Sequence, residues 1–347
     1  MALLGESAAG GGHGDRMRAN EIKLLSEFKA DAAEMRAAYC DALIKCAEND
    51  PRIVALDCDM STSMGTKPFA ARFPGRAFNL GIQEANVCGV AAGLSAAGFI
   101  PFMHTFSVFI TRRIFDQVYL SCGYGRQNVK LIGGDAGVST ALNGGTHMPF
   151  EDVGIMRCIP GITILEPADA AALSALVPQI AAHNGLCYMR MRRTAATRLY
   201  ADGSEFRIGA ANVLREGADV TIIAAGMMVH IALLAASELS KDGIGARVVD
   251  MFTIKPIDAE CIAESAQKTG AVVTAENHNI IGGLGSAVAE VLAERAPVPM
   301  ERVGVMDEYG EVGQVDYLME RFGLTAANIA KKAKRAIQRK IGGGGQA

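Results

Sequence analysis

The sequence has no tryptophan, and its 347 residues include only 11 prolines. It also lacks an excess of charge of one sign, since 34 basic residues stand against 37 acidic ones. This near balance gives no reason to expect nucleic acid or an anionic membrane as a partner. No stretch reaches the ~18 uninterrupted apolar residues of a membrane span, and residues 1–15 lack the basic start and apolar core of a signal peptide. We therefore expect a cytoplasmic protein.

The eight cysteines form no C-x-x-C pair and no His/Cys cluster with the spacing of a zinc site. Scattered thiols of this kind are typical of buried, reduced cysteines. Half of the residues are apolar and a fifth are charged, which excludes wholesale disorder. Because single domains usually hold about 100–200 residues, the length of the chain predicts two domains.

The two ends differ in composition from the rest of the chain. Residues 1–15 and the glycine-rich residues 341–347 are predicted to be disordered tails, and residues 16–34 a helix or an arm. The basic run Lys331–Lys340 is interpreted as a solvated helix face or a surface arm rather than as a nucleic-acid site.

Apolar strand-like runs alternate with helical patterns in two successive units, residues 35–200 and 207–340, and the polar stretch Arg192–Arg207 ends the first. This alternation predicts two consecutive α/β domains with mostly parallel sheets covered by helices. Ligands of such sheets bind at the carboxyl ends of the strands, so strand-to-helix junctions are the places to search for a site. In the first unit we predict strands at Arg52–Asp57, Arg76–Leu80, Phe99–Thr105, Val129–Ile132, Gly161–Leu165 and Leu186–Met191, and helices at Gln83–Ala97, Ser107–Ser121 and Asp169–Ala182.

The first notable junction leads into the predicted helix Gln83–Ala97, where Glu84 lies on the same face as the apolar Val87. An unpaired charge on the buried side of a helix is costly. Glu84 is therefore either a functional carboxylate or a first-turn residue that caps the helix or interacts with its dipole. The spacing leaves both interpretations open.

Two further junctions carry candidate residues. Phe106 and Phe109 follow a strand and are three residues apart, so they are either core residues or a flat apolar wall that could stack on a heteroaromatic ring. The glycine-rich segment Gly133–Asp152 lies between a strand and a helix, and a loop of that length inside a domain is typically functional. It contains His147, a candidate acid or base.

Four motifs follow one another along the first unit: NLGIQEANVCGVAAGLSAAG, TFSVF, FDQV (Phe115–Val118) and GGTH (Gly144–His147). In order and spacing they resemble the transketolase-like thiamine diphosphate enzymes, which include transketolase, deoxyxylulose-phosphate synthase and the β subunits of 2-oxoacid dehydrogenases. The resemblance extends over roughly Met35–Ala336. It implies that residues 35–200 form a pyrimidine-binding domain and residues 207–340 a transketolase C-terminal-like domain.

The resemblance also implies roles in binding thiamine diphosphate. Glu84 matches the glutamate that hydrogen-bonds the N1′ atom of the aminopyrimidine and so helps to remove the proton at C2 of the thiazolium. Phe106 and Phe109 match the aromatic wall of the pyrimidine pocket, and Asp59 matches an acid near the thiazolium ring. Arg112 stands where some members have a third aromatic residue, so the far end of this pocket is expected to differ from theirs.

Other matches concern the substrate. Arg36, Ser63 and Arg193, which fits better than Arg192, correspond to groups that bind the phosphate end of a sugar. An arginine fork and a hydroxyl suit an anionic group. His147 corresponds to a histidine that contacts the substrate and moves protons.

Two departures from the family affect the preferred substrate. Asn143 replaces an aspartate that recognises a hydroxyl group of the donor sugar in the family, and Gly134 replaces a histidine that binds phosphate. Because asparagine donates as well as accepts and carries no charge, the donor should differ from that of the pentose-phosphate enzyme.

The family's motif for the diphosphate and its metal ion, G-D-G followed by an asparagine, has no match; Gly134-Asp135-Ala136 and Asp202-Gly203-Ser204 come nearest. The domain that carries this motif in single-chain members would precede Met35. The resemblance therefore implies the C-terminal subunit of a split transketolase. An N-terminal partner subunit would bind Mg²⁺, or a similar divalent ion, and the diphosphate, in an α2β2 heterotetramer.

The expected reaction is transfer of a two-carbon ketol unit from a phosphorylated or similarly anionic ketose to an aldose. The alternatives are a 2-oxoacid dehydrogenase β subunit, a deoxyxylulose-phosphate-synthase-like enzyme and a non-catalytic regulatory subunit. In the second unit, the glycines of Gly282–Gly285 lack the G-x-G-x-x-G spacing of a dinucleotide site. Glu276 and His278 are expected at a subunit contact.

Overall fold

The computed structural model describes residues 20–343, so the tail predicted at residues 1–15 and residues 344–347 of the other tail lie outside the described part. The predicted fold class is confirmed: two α/β units follow one another, each with a mostly parallel sheet covered by helices. Among the described residues, no helix is both long and apolar enough to cross a bilayer.

The strands are β1 (Leu24–Ala30), β2 (Ile53–Asp57), β3 (Ala77–Asn79), β4 (Ile100–Phe106), β5 (Lys130–Gly134), β6 (Thr163–Leu165), β7 (Cys187–Met191), β8 (Thr197–Tyr200), β9 (Asn212–Arg215), β10 (Val220–Ala224), β11 (Ala246–Asp250), β12 (Thr253–Lys255), β13 (Val272–Asn279) and β14 (Met300–Val305). The helices are α1 (Met35–Asn49), α2 (Ser61–Met64), α3 (Lys67–Arg72), α4 (Glu84–Ala96), α5 (Ser107–Ile110), α6 (Phe115–Gln117), α7 (Asp152–Arg157), α8 (Ala170–Ala182), α9 (Met228–Lys241), α10 (Ala259–Thr269), α11 (Leu284–Arg295), α12 (Val315–Arg321) and α13 (Ala326–Gly343).

The first sheet has the strand order β12-β6-β7-β5-β4-β2-β3, and only β12 runs antiparallel to its neighbour. Strands β2, β5 and β7 are buried at every residue, because helices cover both faces. The second sheet has the order β14-β13-β10-β11-β9, with β9 antiparallel at its edge. Strand β12 comes from the second unit of the chain but extends the first sheet, so the two units are interleaved.

Local sequence signals set several helix ends. The Asp169 carboxylate accepts a hydrogen bond from the Ala172 amide at 2.8 Å and caps α8, and Asp258 caps α10 in the same way. Helix α10 ends at Gly270, which has a φ of 67°, the left-handed conformation that glycine adopts at little cost.

The helix predicted at Ser107–Ser121 is broken into α5, a 3₁₀ turn, α6 and a π-helical stretch, Val118–Tyr124. Helix α5 ends because Thr111 has a non-helical backbone (φ −111°, ψ −85°). Its hydroxyl donates to the carbonyl of Ser107 at 2.6 Å, a local bond that competes with helix continuation.

The structure also corrects parts of the predicted ends and places a strand in the polar stretch. The described part of residues 16–34 contains strand β1, not a helix, and β1 pairs antiparallel with β8. That partner lies within the polar stretch Arg192–Arg207. The basic run Lys331–Lys340 belongs to α13, where Ala333 and Ala336 are buried. Helix α13 continues to Gly343, so residues 341–343 are not a disordered tail.

The expectation of buried thiols holds for five of the eight free cysteines, whereas Cys46 and Cys261 are half-buried and Cys158 is exposed. Cys158 lies at the C-cap of α7, with its side chain open to solvent.

The two units meet at a buried polar network around Arg190, which is fully buried. Its guanidinium lies 2.8 Å from a carboxylate oxygen of Asp152 and 3.0 Å from one of Glu166. Glu276 and His278 are buried at this contact between the units, not at the subunit contact expected from the sequence. Burial raises the pKa of Glu276 to about 8 and lowers the pKa of His278 to about 4.

Candidate active site

The carboxyl ends of β2, β4 and β5 lie side by side in the first sheet, and the helices that follow them begin at this edge. Phe106 ends β4, and Glu84 begins α4, the helix that follows β3 two strands away. Asp135 follows β5 with a φ of 60°, a left-handed backbone uncommon for a residue other than glycine. Parallel topology therefore collects most of the predicted site residues in one place.

Glu84 is only 3% exposed, and both of its carboxylate oxygens accept hydrogen bonds from Arg113 Nη1 at 2.9 Å. The hydroxyl of Thr105 lies 3.5 Å from one of the same oxygens. Gln83, the N-cap residue of α4, makes no side-chain capping hydrogen bond. The carboxylate is held by Arg113, and no capping hydrogen bond to Glu84 is present among the described residues. Its place in the first turn of α4 still fits an interaction with the helix dipole.

Arg113 is a site residue that the sequence analysis missed. Its guanidinium carbon lies 3.7 Å from the centroid of the Phe109 ring, and its side chain is 44% exposed. One arginine thus joins the buried carboxylate to the aromatic wall. A signal was present in the spacing of Phe109 and Arg113, which are four apart within the predicted helix Ser107–Ser121, although the structure breaks that helix at Thr111.

Phe106, Phe109 and His147 form an aromatic cluster. The centroids of the two phenylalanine rings are 6.0 Å apart, and the His147 ring lies edge-on to them at 6.3 and 5.2 Å. Nδ1 of His147 is 2.9 Å from the hydroxyl of Thr146. The candidate acid or base is therefore placed against the flat apolar wall predicted from the sequence.

Two arginines converge next to this cluster. Arg193 lies 4.9 Å over the Phe106 ring, and its Nε donates to Asp135 at 2.7 Å. Arg193 and Arg36 both donate to the carbonyl oxygen of Ser63, at 3.5 and 3.1 Å. The second carboxylate oxygen of Asp135 is buried and has no hydrogen-bond partner among residues 20–343.

Arg192 points away from this cluster, since its guanidinium donates to the hydroxyl of Thr194. Burial lowers the pKa of Arg192.

Two predicted residues lie at the margin of the site. Asp59 is exposed and accepts a hydrogen bond from Asn79 at 3.0 Å, and Asn143 is exposed at the end of a 3₁₀ turn. The structure thus brings Glu84, Phe106, Phe109, His147, Arg36, Ser63 and Arg193 together and leaves two residues at the rim.

Across the described residues, no group of three or more His, Cys, Asp or Glu side chains could hold a metal ion. The arrangement offers a buried carboxylate, an aromatic face and a histidine on one side, and paired guanidinium groups on the other. Chemically, it can share a proton with a flat ring, stack on that ring and hold an anion nearby.

Two family profiles match most of the chain. Residues 31–198 match the family described as "Transketolase, pyrimidine binding domain", and residues 209–329 match "Transketolase, C-terminal domain". The two matched segments correspond to the two α/β units of the fold.

Curated relatives include proteins of similar length. The 6-deoxy-6-sulfo-D-fructose transketolase subunit SqwH of Clostridium sp. (strain MSTE9) is 54% identical over 314 residues, which cover 90% of this chain and 98% of that protein. A subunit of the apulose-4-phosphate transketolase of Phocaeicola vulgatus is 36% identical, covering 88% and 97%. The transketolase of Mus musculus is 34% identical and matches 88% of this chain but only 49% of its own length.

Similar solved structures are also transketolases. A protein described as "Split gene transketolase, inactive beta4 tetramer" superposes with a TM-score of 0.83 at 45% identity, covering 89% of this chain and 100% of that one. A transketolase from Leishmania mexicana, at 22% identity, shares the fold with a TM-score of 0.75 and covers 92% of this chain and 47% of its own.

Proposed function

This chain belongs to the transketolase family, whose members are thiamine diphosphate-dependent transferases, and on that premise we propose the reaction that it serves and the role of each site residue. The reaction is transfer of a two-carbon ketol unit from an anionic ketose to an aldose. The observation that carries the proposal is that a buried carboxylate, two aromatic rings and a histidine meet at the carboxyl edge of the first sheet. The subunit relatives are transketolases, so the 2-oxoacid dehydrogenase alternative is not favoured.

The residues that would hold the cofactor ring are Glu84, Phe106 and Phe109, and their chemistry fits such a ring. A nearly buried carboxylate suits a hydrogen bond to a ring nitrogen, and a phenylalanine face suits stacking. When bound, thiamine diphosphate supplies an acidic carbon that can add to a ketose carbonyl. Arg113 pairs with Glu84 and covers Phe109, so this exposed arginine has to turn aside before a ring can take its place.

His147 is proposed to exchange protons with the hydroxyl groups of the sugar, because its ring lies against both phenylalanines and is only half-buried. Asn143, at the rim of the same loop, is proposed to hydrogen-bond a hydroxyl of the donor. Asp59 is proposed to approach the cofactor from the opposite rim. Its exposure leaves it free to contact a ligand or a partner chain.

Arg36 and Arg193, with Ser63, are proposed to bind the charged end of the ketose. Two guanidinium groups that converge on one carbonyl oxygen leave donors available for an anion. The names of two relatives specify a sulfonated sugar and a sugar phosphate, and both substrates carry a terminal anion. A ketose that ends in a phosphate or a sulfonate is therefore the proposed donor.

The chain is proposed to act with an N-terminal partner subunit in an α2β2 assembly. It spans 49% of mouse transketolase, and the other half would supply the diphosphate site and the Mg²⁺ or a similar divalent ion. The description of one similar structure as an inactive tetramer of β chains supports the need for a partner. The cytoplasmic location remains part of this proposal, and the eight free thiols fit a reducing compartment.

Reconstitution tests the proposal. The purified chain is mixed with its N-terminal partner, thiamine diphosphate and Mg²⁺, and ketol transfer is measured with ketoses that end in phosphate, sulfonate or a neutral hydroxyl. We expect transfer only from the mixture, and only from the anionic donors. Full activity of the chain without a partner would refute the two-subunit assignment, and decarboxylation of a 2-oxoacid instead of ketol transfer would refute the reaction.

A further inference from the structure

The loop between β5 and α7 carries Asn143 and His147, yet much of its support comes from the second α/β unit. Asn277, near the end of β13, is 1% exposed. Its Nδ2 donates to the carbonyl of Ala136 at 2.9 Å, and its Oδ1 accepts from the amide of Val138 at 2.9 Å. One side-chain amide thus pairs with the loop backbone as a neighbouring strand would.

The two ends of this contact are fixed. The backbone carbonyl of Asn277 accepts a hydrogen bond from the buried Arg190 at 3.1 Å. On the loop side, Gly137 has a φ of 51°, and a Cβ there would collide with the side-chain oxygen of Asn277. Glycine is therefore required where the loop approaches the asparagine so closely.

The buried Thr140 links the segment of the loop that Asn277 contacts to His147. The Thr140 hydroxyl donates to the carbonyl of Asp135 at 3.0 Å and lies 3.2 Å from the carbonyl of His147. The backbone that Asn277 holds is thereby joined to the backbone of the candidate acid or base.

The second unit supports the loop at two further points. The amide of Asn279 donates to the carbonyl of Phe150 at 2.9 Å. Gly145 packs so closely on Gly310 that a Cβ on Gly145 would collide with the Gly310 carbonyl oxygen. The loop is thus held at its start, middle and end by residues of the second unit.

We propose that Asn277 is a positioning residue: it sets the place of the loop that carries Asn143 and His147, and so controls sugar binding and turnover without contacting the cofactor. The inference rests on the proposed ketol transfer and assigns to the second unit a part in substrate recognition. Positioning errors of about 1 Å cost up to about a hundredfold in rate, so a lost loop contact should be measurable.

The test compares Asn277→Asp and Asn277→Ala with Asn212→Asp in the reconstituted two-subunit enzyme. Aspartate keeps the shape of asparagine but loses the Nδ2 donor to Ala136, and alanine loses both bonds without adding charge. Asn212 is the matched control, a buried asparagine on β9 in the second sheet. We expect both Asn277 variants to raise KM for the ketose and to lower kcat, each by about tenfold. The dissociation constant of thiamine diphosphate should change less than about twofold, and Asn212→Asp should leave all three constants unchanged.

Hydrogen exchange of residues 136–148 in the isolated chain provides a second measurement that does not depend on activity. Faster exchange of this segment in both Asn277 variants, but not in Asn212→Asp, supports the proposal. Unchanged exchange, unchanged kinetic constants or an equal loss of cofactor affinity overturns it. If the wild-type complex transfers nothing from any ketose, the proposed function fails, and the exchange result still decides whether Asn277 orders the loop.

Discussion

Replacing Glu84 with glutamine separates a catalytic carboxylate from a structural one. Glutamine keeps the volume of the side chain but removes its negative charge and its ionisable proton. The structure adds a cost that the sequence does not reveal, because Glu84 pairs with Arg113 through both oxygens at 2.9 Å.

The size of that cost follows from the contact. A hydrogen bond to a charged group contributes about 1.5–3 kcal/mol, and water screens the half-exposed Arg113, so we expect a loss of about 1–2 kcal/mol in the free energy of unfolding. Domains are usually stable by about 5–15 kcal/mol, so the variant should remain folded. If Glu84 shares a proton with the cofactor ring, exchange of the C2 proton should fall by about a hundredfold or more, equivalent to about 2.7 kcal/mol in the barrier.

The assay is hydrogen–deuterium exchange at C2 of thiamine diphosphate in the reconstituted complex with saturating cofactor, alongside thermal unfolding. Arg113→Met is the control, because it breaks the same ion pair and keeps the carboxyl group. It should lower stability at least as much as Glu84→Gln, since it leaves a carboxylate unpaired at 3% exposure, and it should keep C2 exchange within about tenfold of wild type. Wild-type exchange in Glu84→Gln, or an equal loss in both variants, would refute the role assigned to the carboxyl group.

Three further outcomes are expected. His147→Ala should lower kcat/KM by about tenfold to a thousandfold with nearly unchanged cofactor affinity in steady-state kinetics; an equal loss of affinity would make it a structural residue. Gly145→Ala should lower the melting temperature and raise KM for the ketose, because its Cβ would collide with Gly310; an unchanged KM would contradict the loop contact. Burial raises the pKa of Glu276 to about 8, above the unfolded value of about 4.5, so the folded state retains a proton and stability falls as pH rises between these values. Melting curves of Glu276→Gln should show a flatter pH dependence there, and an unchanged slope would exclude Glu276 as its source.

Six of the seven strands of the first sheet could be predicted because they lie in apolar runs, and β2 begins only one residue after the start of the predicted strand Arg52–Asp57. Strands β1, β8, β9, β12 and β14 were not predicted. Each is short or partly polar and is stabilised by pairing with a distant segment, as β12 is by β6. Periodicity within a short window carries no information on such partners.

The candidate site could likewise be predicted where the signal is local in the sequence, but not where it depends on contacts between distant residues. Glu84, Phe106 and His147 could be singled out because strand-to-helix junctions and a long glycine-rich loop are visible in the sequence. The pairing of Arg113 with Glu84 could not be predicted, since the two residues are 29 positions apart and the sequence gives charges but not contacts. Asn277 was missed for the same reason, because its loop partners lie in the other unit.

Strand β12 has a consequence for how the chain can be divided. Residues 253–255 close the edge of the first sheet at β6, and Lys255 Nζ also donates to the carbonyls of Arg157 and Ile159 at 2.8 and 2.7 Å. A fragment that stopped at the polar stretch 192–207 would leave β6 with unpaired backbone groups, an open edge that favours association with other chains. During synthesis the first sheet remains incomplete until residue 255 has been added. The first unit therefore cannot be expressed alone with its sheet complete unless that strand is supplied.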